Sequence, residues 1–166
     1  MKKVITLGFT LVALFIFSTS TAQTEAELYQ QGLKYKKQIN NKKMLPVFKK
    51  LVEMDSTNVD YLSNLSFAYS KVGANLTDAK LQLKFYAKAK SVASKAKKLN
   101  DNHAFAHYSY ALALARENEN AGSKEKIANA KEIKAECDKV IALDPKEAGA
   151  YHVMGRWHRT FAGFSG

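Results

Sequence analysis

Few side chains in this sequence are equipped for chemistry: four histidines and one cysteine. His103 and His107 stand four apart, the spacing at which two neutral imidazoles on one helix face can share a metal ion. Ala104, Phe105 and Ala106 lie between them, so the glutamate of a metalloprotease HExxH is missing. Cys137 recurs with Ile133, Val140 and Ile141 on the apolar side of a helical pattern, where a thiol is an ordinary small core residue. Asp138 and Asp144 have no base beside them, and neither a glycine-rich phosphate cradle nor a nucleophile elbow occurs. The sequence therefore reads as non-enzymatic, with no catalytic residue, no metal and no cofactor. A single cysteine also allows no disulfide within the chain.

The elements around these residues are helices throughout. Leu62, Leu65, Ser66 and Tyr69 follow one another at offsets of three, one and three. Phe105, Tyr108, Ser109 and Leu112 repeat the pattern, as do Tyr151, Met154, Gly155 and His158. Leu28, Gly32 and Tyr35 keep the same register. In each set a large residue fills the space between helices, a small one lets backbones approach, and another large one closes the layer. The openings at Leu28, Leu62, Phe105 and Tyr151 are spaced by 34, 43 and 46 residues. The first spacing is the tetratricopeptide (TPR) period. The Leu143-Asp144-Pro145 join ends one helix before the next, because the residue before a proline is pushed out of the α region.

The expected fold is thus all-α, a TPR-like right-handed solenoid of helical hairpins with about three and a half units. These units cover about 25–58, 59–101, 102–147 and a partial 148–166. Thr24 with Glu27 forms a capping box before the first helix. Thr77 and Ser123 are expected to cap the long helices that end near Leu99 and Leu143. Pro46 requires its helix to start close by or to kink there.

Ahead of the repeats, Lys2 and Lys3 precede an apolar run from Val4 to Phe17, then Ser18-Thr-Ser-Thr-Ala22. This is the order of a secretory signal peptide over residues 1–22, with cleavage after Ala22. It leaves residues 23–166 as one exported, periplasmic repeat domain. The net charge of +11 reads as a lysine-rich solvated surface.

A narrower likeness comes from Lys124-Glu-Lys-Ile-Ala-Asn-Ala-Lys-Glu-Ile-Lys, Leu143-Asp144-Pro145 and Tyr151-His-Val-Met-Gly155-Arg156-Trp157. Over roughly 60–161 the chain resembles the regulator of microtubule dynamics family, with exported bacterial relatives. The resemblance implies a TPR-like fold and a binding-module role. The family's eukaryotic members are linked to microtubules, and one to phospholipid handling.

The first helix of each TPR unit lines the concave face. Groove-facing positions by register are Tyr29, Leu33, Asn64, Phe67, His107, Tyr110, His152 and Arg156. The expected function is a non-catalytic scaffold that presents this groove to a protein or peptide segment in the cell envelope. The alternative is a lipid-binding module, with the groove for acyl chains and Lys80, Lys84 and Lys88 on one helix face for phospholipid headgroups. Stacking aromatics in that basic helix are limited to Phe85 and Tyr86, so no nucleic-acid partner is expected. Tyr151, Trp157, Phe161 and Phe164 crowd the last helix, so either further helices of a longer array or a second copy, in a homodimer through this helix, is expected to cover it.

Overall fold

The computed structural model describes residues 25–161, which form seven helices and no strand. The signal peptide expected over residues 1–22, Thr24 and Phe164 lie outside the described residues. Helix α1 spans 25–37. It is followed by α2 (Asn41–Met54), α3 (Val59–Gly73), α4 (Ala79–Leu99), α5 (Ala104–Asn118), α6 (Ser123–Leu143) and α7 (Ala148–Phe161). Each hairpin packs on the next. The chain α1, α3, α5, α7 makes one layer, in which α3 lies on α5 and α5 on α7, while α2, α4 and α6 form the other layer.

Most helix starts carry a side chain that accepts an orphan backbone N–H. Asn40 accepts from Lys43 N, Asn58 from Tyr61 N, and Asp78 from Leu81 N. Two expected caps are displaced by one residue. Asp78, not Thr77, has the extended backbone that a cap requires. At α6 the cap is Gly122, which offers no side chain, and Ser123 is already helical. Pro46 lies inside α2, which begins at Asn41. The helix tolerates it by forgoing a single bond to the Lys42 carbonyl.

Small residues set the helix spacing. Ser66 is fully buried, and its hydroxyl donates to the Ala89 carbonyl of α4 at 2.8 Å. Ala89, Ala93 and Ala96 present no accessible surface, so α4 rests on its alanine side. A Cβ at Gly32 would come within 2.8 Å of the Phe48 ring, and one at Gly73 within 2.8 Å of the Tyr86 ring. Gly155, expected to play this part in α7, has nothing within 4 Å. The close approach is made at Gly149, where a Cβ would fall 2.3 Å from the Tyr108 ring.

Two apolar clusters dominate the interior. Met44, Phe48 and Leu51 of α2 meet Tyr61, Leu65 and Ala68 of α3. Leu112 and Leu114 of α5 meet Ile133, Cys137 and Val140 of α6 and Ala150 and Val153 of α7. Burial pushes the Cys137 thiol up to about 12, so it stays protonated and inert near neutrality. Trp157 closes the second cluster and donates its indole N–H to the Ala130 carbonyl at 2.7 Å.

Candidate functional site

The α1–α3–α5–α7 layer carries an aromatic platform. Phe67 of α3 lies 5.8 Å from Phe105 and 6.1 Å from Tyr108 of α5, ring centre to ring centre, and those two lie 5.6 Å apart. Two ammoniums flank it. Lys36 of α1 stands 3.6 Å from the Phe105 centroid and 5.2 Å from that of Phe67. Lys71 stands 5.0 Å from Phe67 on its own helix. The Lys36 ammonium donates to Asn64 Oδ1 at 3.0 Å. Neither lysine has a carboxylate at ion-pair distance among the described residues. Desolvation dominates at both: it pulls Lys36 down to about 8 against the longer-range attraction of Glu147 and Asp60, and it lowers Lys71, where Arg116 adds repulsion.

Beyond Tyr108 the platform opens into a pocket of about 160 Å³ between α5 and α7. Leu112, Ile133, Val153 and Trp157 line it together with Lys71, Arg116, Lys126 and Arg156. Glu119 accepts from Arg116 at 2.9 Å and from Arg156 at 2.6 Å.

The structure distributes the sequence-derived groove residues unevenly. Phe67 and Asn64 join the platform, and His152 and Arg156 line the pocket. Tyr29 and Leu33 pack into the first cluster, Tyr29 against Phe48 and Tyr61. His107 and Tyr110 require correction, since both turn toward α4 and α6. His107 is 2% exposed, with Nδ1 2.6 Å from Glu136 Oε2 and Nε2 2.9 Å from the Asp101 carbonyl oxygen. Tyr110 donates to Glu132 at 2.7 Å, and the Lys97 ammonium sits over its ring. Lys97 also pairs with Glu136, so this side is a network tying α4, α5 and α6 together. The His103 and His107 rings part company: His103 caps α5 through Ala106 N and meets Asp60 at 3.2 Å. Lys80, Lys84 and Lys88 are exposed along α4.

Sequence reasoning passed over Lys36, Lys71 and Arg116, and read Phe105 and Tyr108 as packing positions only. Phe67 to Lys71 is a four-residue step along one helix face, so extending the groove register by a turn finds Lys71, while Arg116 lies one turn beyond the packing residue Leu112. Lys36 reaches the platform from another hairpin, and no local spacing signals that.

This arrangement matches known proteins in two ways. The family model for regulator of microtubule dynamics protein 1-3 covers residues 19–165. The chain belongs to that family. Regulator of microtubule dynamics protein 1 of Pongo abelii is 41% identical over 70 residues, which make up 42% of this chain and 22% of that protein. The Rattus norvegicus protein is 54% identical over 41 residues, 25% of this chain and 13% of that protein. The matched stretch is thus under a quarter of those relatives' length. Among solved structures, the first TPR of Spaghetti (RPAP3) bound to HSP90 peptide SRMEEVD superposes with a TM-score of 0.58 at 21% identity. It covers 84% of this chain and 94% of that one. A thermophilic TPR protein of Thermus thermophilus gives a TM-score of 0.53 at 19% identity, over 94% of this chain and 96% of that chain. These structural likenesses establish the TPR-like solenoid for this member of the regulator of microtubule dynamics family.

Proposed function

We propose that this chain is a non-catalytic binding module whose α1–α3–α5–α7 layer receives an extended protein segment in the cell envelope, after export directed by residues 1–22. The observation that carries the reading is the Phe67–Phe105–Tyr108 platform flanked by two partly desolvated lysines with no carboxylate at ion-pair distance among the described residues. Buried or half-buried charges are normally paired, and a cation left unpaired at a cost is a feature that a ligand can complete. A similar solenoid, the first TPR of Spaghetti, is described as bound to a peptide, which supports the class of ligand.

A lipid role rests on the exposed Lys80, Lys84 and Lys88 beside Leu83, which is 41% exposed. Against an acyl-chain site between α5 and α7 stands the size of the pocket there. About 160 Å³ is well below the roughly 300–1,000 Å³ of pockets that enclose drug-sized ligands.

Photocrosslinking separates the two readings. A photoreactive residue at His152 or Thr160, both exposed and lining the pocket, should yield protein adducts from an envelope extract, and one at Lys84 should yield none. Phospholipid adducts from Lys84, with none from the other two sites, would replace the protein-segment reading with the lipid one.

A further inference from the structure

We infer that the pocket between α5 and α7 anchors one apolar side chain of an acidic segment, whose carboxylates meet Lys71 and Arg156 at its rim. This rests on reading the odd-helix layer as a peptide groove and goes further by naming the ligand's chemistry.

The floor fixes the anchor. Leu112, Ile133, Val153 and Trp157 are apolar, and about 160 Å³ matches the size of cavity that accepts a single benzene-sized group. One leucine or aromatic side chain fills it.

The rim fixes the charge. Lys71, Arg116, Lys126 and Arg156 line the pocket against a single carboxylate, Glu119. That carboxylate is already shared between Arg116 and Arg156, which holds both guanidiniums in place. Lys71 and Lys126 have no carboxylate partner among the described residues. The site therefore keeps an excess of positive charge beside low-dielectric walls, where an added carboxylate is worth more than at open surface. An extended chain advances about 3.3 Å per residue, so acids one to three residues from the anchor fall within reach of the rim.

The test pans a random peptide library displayed on phage against the full chain, then titrates synthetic versions of the enriched peptides by fluorescence anisotropy. Enriched sequences should carry a leucine or aromatic residue with aspartate or glutamate within three positions. Lys71→Glu and Arg156→Glu should each weaken binding about tenfold or more, the scale of one lost charged hydrogen bond. Ala115→Phe fills the pocket and should weaken binding comparably without changing its salt dependence. Thr160→Trp, at an exposed position on the same rim, serves if the substitution at partly buried Ala115 unfolds the chain. Neutral or basic enriched peptides, or acidic ones insensitive to both filling substitutions, would overturn the anchor while leaving the groove reading intact. No enrichment at all would overturn both, as would a chain that binds phosphatidylglycerol vesicles and no peptide.

Discussion

The Lys36 ammonium of α1 stands 3.6 Å from the centroid of the Phe105 ring of α5, a contact that reaches across the intervening α3. A hydrogen bond to the Asn64 carboxamide completes its surroundings. The solenoid thus holds a cation where neither a carboxylate nor bulk water balances it fully. Desolvation depresses Lys36 to about 8 from its usual 10.5. Between those values the unfolded chain binds more protons than the folded one, so stability rises with pH across that window. Below about 8 both states are protonated and the cost is fully present.

Lys36→Met should therefore stabilise the fold by on the order of 1–3 kcal/mol at neutral pH and flatten the rise above about pH 8. The same change should weaken binding of acidic peptides. Urea denaturation across pH, paired with anisotropy titration, checks both. A variant that is less stable at neutral pH would show that Lys36 is structural.

Gly149 and Tyr108 are coupled. A Cβ at position 149 would fall 2.3 Å from the Tyr108 ring and 2.5 Å from its hydroxyl oxygen. Gly149→Ala should cost about 1–3 kcal/mol through overpacking, despite alanine's better helix propensity. Truncating the ring in the double variant with Tyr108→Leu should recover part of that loss. Denaturation of the four proteins of the cycle gives the coupling, and strict additivity would contradict the contact.

The turn between α1 and α2 stores strain. Ile39 has φ of 56° and is 78% exposed. Its neighbour Asn40 donates to the Tyr35 carbonyl oxygen at 2.9 Å, closing a helix end of the type usually occupied by glycine. A β-branched residue there is strained, so Ile39→Gly should raise stability by about 1 kcal/mol. Thermal melts of the two chains decide it, and an unchanged or lower Tm would contradict the strain.

Much of the architecture was legible because it is local. The Leu62–Tyr69 and Phe105–Leu112 offsets encode which helix face packs, and the helices ending at Leu99 and Leu143 end there. Ser66 and Gly32 sit at close approaches, as their small size implied. Gly155 does not, because the contact it was assigned falls six residues earlier, at Gly149. The groove was harder to read. Register alone put His107 and Tyr110 beside Phe67. Yet Glu132 and Glu136, far along the chain, offer polar partners that draw both toward α6. Lys36 was hidden for the converse reason: its partners Asn64, Phe67 and Phe105 belong to other hairpins, and only the stacked layer brings them together.

The central claim is that ligand lies on the odd-numbered helices, and chemical-shift mapping of the isotope-labelled full chain with an enriched acidic peptide tests it most directly. Saturable shifts are expected at Asn64, Phe67, Lys71, Phe105, Arg116 and Arg156, with Lys80, Lys84 and Lys88 unmoved. Shifts confined to α4, or no shifts with peptide and α4 shifts with anionic vesicles, would contradict it.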